Sequence, residues 1–344
     1  RRKNLVVVRA NSRKVLTEDL RVKKLYKKFK TVIVKKINKK SFAIAVSGGS
    51  DSLCLSYFGK IYKSEFNNKI HFLIVNHKLR SESKKEALKV KKILENKGIK
   101  SKILNWNGKI PKSNIQKNAR NIRYSLISNY CFKNKIKYLL TAHHMDDQIE
   151  NFFIRLFRGS GLKGLSSFNL LSYQNQNSIK IIRPFINIDK KELIYISEKN
   201  FNKYVIDPSN FKEKYLRTKI RNYIKSFHAN GLDINKIKLT INNLYNANKS
   251  LDHYYRKAQF NYLRYLNKKK CLLNDKILEE DEEIIFRIIS IVILTVGKND
   301  YPPRGKDLKR LILKMKLSDF RQATLGKCII KRVKNSFIIK NEFK

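Results

Sequence analysis

Ser41-Phe42-Ala43-Ile44-Ala45-Val46-Ser47-Gly48-Gly49-Ser50-Asp51-Ser52-Leu53 passes from an apolar run into a stretch of serine and glycine and back again. Phe42 to Val46 is short, apolar and β-rich, the pattern of a strand buried on both faces of a parallel sheet. Gly48 and Gly49 then open backbone conformations closed to other residues and allow a ligand to come close. The hydroxyls of Ser47, Ser50 and Ser52, the free N–H groups of the turn and the positive end of the following helix together make an anion site. A carboxylate in that cradle repels an anion unless a cation lies between them, so Asp51 reads as a Mg²⁺ ligand. A plain glycine turn capped by Asp and Ser is the competing account.

The turn is not a Walker loop, because no Gly-Lys-Ser/Thr follows the glycines at the right distance. Ser-Gly-Gly-Ser-Asp-Ser resembles the pyrophosphate loop of enzymes that split ATP into AMP and pyrophosphate.

At 344 residues the chain is longer than one domain usually is, so one larger and one smaller domain are expected. Lys+Arg 77 against Asp+Glu 27 gives a net charge of +50, spread along the whole chain, which suits a folded surface for a polyanion such as nucleic acid. A compositional bias towards Lys, Asn and Ile would also raise the charge without any ligand. Cys54, Cys131, Cys271 and Cys328 are far apart and form no Cys-x-x-Cys pair. Neither a structural zinc nor a disulfide framework is indicated, and a reducing, cytoplasmic compartment follows. The longest apolar run, Ile284 to Val296, contains Arg287 and is too short to span a bilayer, so it is expected to be a core helix with no membrane partner.

Residues 1–30 hold twelve Lys or Arg against Glu18 and Asp19 and lack an apolar signal core. Residues 1–24 are expected to form a basic arm, and Leu25 to Ile37 a short helix. Ile70 to Val75 reads as a second parallel strand running into Asn76-His77-Lys78-Leu79-Arg80. Ligands of doubly wound sheets bind at the carboxyl ends of strands, so His77 and Arg80 fall where a nucleotide would lie. Residues 83–97 read as a basic amphipathic helix and Ser101 to Trp106 as a third strand. Arg120 and Arg123 lie three apart on one helix face, beside Tyr124, an arrangement suited to clamping phosphate and stacking a base. Tyr138 to Thr141 is the next strand, followed by Ala142-His143-His144-Met145-Asp146-Asp147-Gln148-Ile149-Glu150, a second polar cluster past a strand end. A metal-ligand reading of that cluster is allowed, although adjacent residues rarely all reach one ion. Asp207-Pro208-Ser209-Asn210 reads as a turn, with Arg217 and Arg221 four apart on the helix after it. Beyond Asn230 two helices are expected, Lys236 to Asn248 and Leu251 to Leu266, then the core helix and a basic β-hairpin after Cys328.

Taken in order, five segments resemble the tRNA(Ile)-lysidine synthase family: the glycine loop; Val75 to Arg80; Asn118-Ala119-Arg120 with Arg123-Tyr124; Thr141 to Gln148; and Arg155 to Gly161. Ile182-Arg183-Pro184-Phe185, Asp207 to Asn210, Tyr215, Arg217 and Arg221 continue the pattern, which covers about 41–225. Asn151 and Thr218 depart from it, where the family usually shows Thr and Asn. Tyr301 to Arg310 and Ala323 to Cys328 resemble the family's second domain; longer members carry a third, which this chain is expected to lack.

The resemblance implies an α/β fold, a doubly wound mostly parallel sheet of the adenine nucleotide alpha hydrolase-like kind, with a smaller, mainly helical second domain ending in a β-hairpin. The expected boundaries are 25–228 for the ATP-binding catalytic domain and 229–344 for a tRNA-binding domain. It implies a ligase that uses ATP and Mg²⁺ to join free L-lysine to carbon 2 of the wobble cytidine in the CAU anticodon of tRNA(Ile), through an adenylated tRNA. It further implies that Ser47 to Ser52 and His143 bind the nucleotide, with Asp51 on the metal, and that His77, Arg80 and Arg120 stabilise the phosphoryl transition state. Asp147 and Glu150, three apart on a helix, would hold the lysine ammonium and one would take its proton, unless either binds Mg²⁺ instead, with Asp146 as a further substrate contact or a plain helix cap. Arg123, Tyr124, Arg217 and Arg221 would bind substrate, and a homodimer is left open. Two readings compete: tRNA thiolation, against which the absence of a Cys-x-x-Cys pair counts, and a non-catalytic RNA-binding protein with a relic loop.

Overall fold

The structure, a computed structural model, describes residues 19–79, 82–108, 115–168, 170–174, 179–202, 204–205, 216–299 and 301–342. Arg80, Asp207-Pro208-Ser209-Asn210, Tyr215 and most of the expected basic arm lie outside these residues. The chain divides into two compact units between Ile241 and Asn242.

The first unit opens with α1 (Leu20–Lys36), earlier than the sequence suggests. Asp19 starts it: its carboxylate accepts the Arg21 and Val22 N–H groups at 2.9 and 3.1 Å and the Lys199 ammonium at 2.6 Å. Val22, Leu25, Tyr26, Phe29 and Ile33 then repeat at helical spacing and are all buried. Phe29 packs against Phe58 and Phe185 at 5.7 and 6.3 Å between ring centroids. Truncating so enclosed a ring to alanine costs about 3–5 kcal/mol.

A six-stranded sheet follows, in the order β3-β2-β1-β4-β6-β5. β1 (Phe42–Val46), β2 (Ile70–Asn76), β3 (Ser101–Asn105), β4 (Tyr138–Leu140) and β6 (Ile179–Ile182) run parallel; β5 (Leu171–Gln174) is an antiparallel edge. Side chains alternate along β1, so Phe42 and Ile44 enter one core and Ala43 the other. Helices α2 (Ser50–Phe66), α3 (Ser83–Glu95) and α6 (Lys190–Phe201) contribute to the first core, with α1. Helix α4 (Ile115–Lys133) covers the second through Tyr124, Ile127 and Cys131. After β3 the chain returns to the opposite side of β1, which makes the gap between β1 and β4 the switch point of the sheet. Helix α5 (Met145–Leu156) leaves β4 there, and α7 (Leu216–Ala229) packs beside it.

The division between the units falls inside α8 (Ile234–Tyr262). The two helices expected here are one, and the residues after Tyr262 extend as strand β7 (Leu263–Asn267) instead of helix. In the second unit β7, β8 (Lys270–Asn274), β9 (Gln322–Leu325), β10 (Cys328–Val333) and β11 (Ser336–Asn341) form an antiparallel sheet ordered β7-β8-β11-β10-β9. The expected hairpin is its β10–β11 pair. Helix α9 (Glu282–Val296) buries seven Ile and Val side chains in the core of this unit, and α10 (Gly305–Lys316) adds Leu308, Leu311, Ile312 and Met315. The charge inside α9 is fully occupied: Arg287 donates to Glu283, Asp252 and Asn248 at 2.7, 2.9 and 2.8 Å. Among the described residues no helix is long and apolar enough to cross a membrane.

Candidate active site

The carboxyl ends of β1, β2 and β4 surround one cavity of about 400 Å³. Ser47, Gly49, Asp51, Ser52, His77, Arg120, Arg123, Tyr124, His143, Asp147 and Arg217 all line it. Residues spread over 170 positions of sequence therefore meet at the switch point, where such sheets bind ligands.

The glycine turn is held from inside by Ser52. Its Oγ accepts the N–H groups of Ser47 and Gly48 at 3.2 and 3.0 Å and donates to the Gly49 carbonyl at 3.0 Å. This hydroxyl is spent on the shape of the loop. Gly48 has φ +89°, and a Cβ there would collide with Val90, with Val205 Cγ2 a further 3.3 Å contact. The Val205 N–H donates to the Gly48 carbonyl at 2.9 Å and fixes the turn from the other side. Gly49 is the N-cap of α2 and offers no side-chain acceptor, so the first N–H groups of that helix are left for a ligand. Gly48 and Ser50 are not in the cavity wall: the one is the floor of the turn, and the other bonds to Asp51 at 3.1 Å.

Burial pushes the Asp51 carboxyl above its ordinary pKa and Asp147 pushes the same way, while His144, Lys190 and the Ser50 hydroxyl oppose them. His144 is buried with its Nε2 3.7 Å from Asp51 and 3.4 Å from Asp147, so one imidazole stands between the two carboxylates. Burial alone would raise Asp147 as well, but His144, His143, Arg217 and the His144 N–H bring it below the usual value. That N–H donates to Asp147 Oδ2 at 3.1 Å, so the helix start is closed by Asp147 and not by Asp146. Asp146 does not line the cavity; it is half exposed beside His144.

His143 does line it. Burial drives its imidazole well below the ordinary range, with Arg183, Arg120 and Arg217 adding to the effect against Asp147, so the ring is neutral near neutral pH. The Thr141 hydroxyl lies 2.9 Å from its Nδ1, and its ring meets that of Phe168 edge-on at 5.2 Å. On the opposite wall the Arg120 guanidinium lies 5.0 Å from the Tyr124 ring centroid. His77 accepts the Leu79 N–H at Nδ1, 3.2 Å away, which leaves Nε2 to carry the proton of the neutral ring.

Glu150 is placed differently from the sequence expectation. It does not line the cavity but is buried between α5 and α7, with Arg217 Nε 3.1 Å from Oε2 and Arg221 Nε donating to Oε1 at 2.7 Å. Arg217 also comes within 3.9 Å of Asp147 and reaches the cavity; Arg221 is occupied by Glu150. Glu86, Val90, Thr141, Ala142 and Val205 also line the cavity and went unnamed as site residues. Glu86 sits in a helix that reads as a basic surface, and nothing local marks Val205; the one available signal was position beyond a strand end.

The residue that would hold a divalent cation is Asp51. Mg²⁺ is commonly bound by one or two carboxylates, with substrate phosphate and water completing its octahedron, so a carboxylate beside an anion cradle fits it. Among the described residues no group of three His, Cys, Asp or Glu side chains is arranged to hold a metal by itself. The four thiols are all buried, and burial raises each above its ordinary pKa, Cys131 and Cys271 to about 12. Such thiols are poor nucleophiles.

The PP-loop domain family matches residues 19–226. The tRNA(Ile)-lysidine synthase of Orientia tsutsugamushi (strain Boryong) is 36% identical over 313 residues, 88% of this chain and 69% of that protein. That of Wolbachia pipientis wMel is 36% identical over 310 residues, 87% of this chain and 70% of the relative. Among solved structures, the U34-tRNA thiolase NcsA from Methanococcus maripaludis with its [4Fe-4S] cluster is similar in fold, with a TM-score of 0.55 and 19% identity over 67% of this chain and 79% of that one. At that identity the likeness speaks for the fold alone. The glycine loop, the switch-point cavity and the two relatives agree: the chain belongs to the tRNA(Ile)-lysidine synthase family of PP-loop proteins.

Proposed function

We propose that this protein ligates free L-lysine to carbon 2 of the wobble cytidine in the CAU anticodon of tRNA(Ile), at the expense of ATP and in the cytoplasm. The product, lysidine, changes the codon read from AUG to AUA and the identity of the tRNA from Met to Ile. One observation carries the reading: a phosphate cradle, a carboxylate pair and three arginines converge on a single cavity large enough for a nucleotide.

The oxygen on carbon 2 of cytosine is a poor leaving group and must first be activated. It attacks the α-phosphate of ATP, pyrophosphate departs, and the ε-amine of lysine then displaces AMP. The uncapped N–H groups of α2 hold the pyrophosphate end, while Arg120, Arg123 and the Nε2–H of His77 face the charge that develops on phosphorus. Asp51 would hold Mg²⁺, which would supply neutralisation of the phosphate charge. Neutral His143 donates or accepts a hydrogen bond to the nucleotide without adding charge.

Lysine must be bound as an ammonium and react as an amine, so a carboxylate must take its proton. Asp147, on the cavity wall, is assigned that contact. Glu150 supports it from behind by fixing Arg217, and a lysine ammonium beside Asp147 stands in the place that the Arg217 guanidinium now approaches. The second unit, with Lys306, Lys309, Arg310, Lys314 and Lys316 on α10 against one acid, is assigned to tRNA backbone binding. Buried, protonated thiols speak against thiolation, which needs a sulfur relay.

The test is incubation of purified protein with ATP, labelled lysine and total tRNA. Label in one isoleucine tRNA, with one pyrophosphate released per lysine, is the expected result. Absence of lysine label, or incorporation of sulfur in its place, would overturn the assignment.

A further inference from the structure

Helices α5 and α7 lie side by side in the same direction, since Asp147 meets Arg217, Glu150 meets Arg221 and Phe153 meets Phe227. Their first turns border the cavity. Their far ends carry a group of aromatic side chains that no core uses. Phe157 stacks on Phe153 at 6.0 Å between centroids, Phe153 faces Phe227 at 6.3 Å, and Tyr223 lies one turn before Phe227 on the same helix face. Phe157, Tyr223 and Phe227 are 62, 54 and 42% exposed, high values for rings gathered in one place. Such a patch marks an interaction site.

The charge around the rings selects the partner. Arg158 follows Phe157 at the end of α5, and Lys219 lies one turn before Tyr223 on the same helix face; among the described residues neither has a carboxylate within ion-pair distance. A second copy of this chain would bring like charge against like. An RNA loop brings phosphates for the cations and bare base faces for the rings. The distance also suits: six residues of helix separate Asp147 from Phe153 and ten separate it from Phe157, roughly 9 and 15 Å along the axis. That is the reach from one nucleotide to its near neighbours in a loop.

We propose that Phe157, Tyr223 and Phe227, with Arg158 and Lys219 beside them, form a stacking platform for the unpaired anticodon-loop bases next to the cytidine that enters the cavity. This rests on the lysidine-forming reading above. The platform holds the loop by its neighbours, so that extruding the target base leaves the others stacked.

The probe is the anticodon stem-loop of the CAU-anticodon isoleucine tRNA with 2-aminopurine beside the cytidine. Wild-type protein should quench its fluorescence on binding. The Phe157→Ala/Tyr223→Ala double variant should lose the quench and raise the Kd about tenfold or more, with ATP affinity and melting temperature unchanged. Phe157→Trp should keep the quench where Phe157→Leu, of similar apolar area, does not. An unchanged Kd and quench in the double variant would overturn the platform alone, provided wild-type protein forms lysidine. A wild-type dimer that the double variant splits, with RNA affinity intact, would assign the patch to a second copy and overturn it too. Failure of wild-type protein to bind the stem-loop or to make lysidine would overturn the functional reading with it.

Discussion

The Nε of Arg221 donates to Oε1 of Glu150 at 2.7 Å, and this bond ties α7 to α5 beside the cavity rather than serving a ligand directly. Glu150→Gln leaves two arginines facing a neutral amide. Because both guanidinium groups are partly exposed, the loss is set at about 1–3 kcal/mol, below that of a fully enclosed pair, or about 3–10 °C in melting temperature. Calorimetry of the variant checks it; an unchanged melting temperature with a raised KM for lysine would return Glu150 to direct substrate binding.

Asp147→Asn keeps an oxygen to accept the His144 N–H and so preserves the helix start while removing the charge. The variant should release pyrophosphate with tRNA and ATP but accumulate adenylated tRNA, with the KM for lysine up by about tenfold or more. Rapid-quench separation of the two steps is the measurement. Loss of pyrophosphate release first would move Asp147 to the metal.

Asp51→Ala should slow pyrophosphate release about a hundredfold or more and leave tRNA affinity as it is, because the side chain removed is acidic and touches no RNA contact. Chelation of Mg²⁺ should reproduce the defect in wild-type protein and add nothing in the variant. Additive losses would place the metal elsewhere.

Ser52→Ala removes one hydroxyl on which three backbone groups of the turn depend. Each unmet group costs about 1 kcal/mol, so ATP affinity should fall about ten- to a hundredfold with little change in tRNA affinity. Isothermal titration with a non-hydrolysable analogue would show it.

Asp19 is held down to a pKa of about 2 by the Lys199 ammonium, with the Val22 N–H and the Tyr195 hydroxyl assisting against burial. A carboxylate depressed in the folded state stabilises it above the unfolded value of 3.8, and that contribution disappears as pH falls through about 2. Asp19→Asn retains the Oδ1 helix cap and removes the charge together with the Oδ2 acceptor of Lys199 and Tyr195. The variant should be less stable by about 1 kcal/mol at pH 7, and the difference should vanish by pH 2. Urea titrations at several pH values test the trend; a gap independent of pH would remove the ion pair from the account.

The strands of the first sheet were legible because parallel strands buried on both faces are apolar along most of their length, as Phe42 to Val46 is throughout and Ile70 to Val75 is but for His71. Site residues just past strand ends were legible for the same reason. Glu150 was not: its spacing from Asp147 says they share a helix face, but α7, seventy residues on, decides that two arginines fill that face. Lys249-Ser250 reads as a break between helices, yet Arg287 bonds Asn248 and Asp252 on either side of it and carries α8 straight through. Leu263 to Leu266 has helical periodicity and becomes a strand because β8 offers it a ladder.

The backbone bond from Val205 to Gly48 has a consequence for the order of events on the ribosome. The glycine turn is synthesised early, but Val205, which bonds it from the other side, and Arg217 and Arg221, which hold Glu150 beside the cavity, arrive only as the first unit is completed. A nascent chain thus displays the phosphate loop in full long before it is able to grip a nucleotide, and competence for ATP comes as a late, single step that depends on contacts remote in sequence.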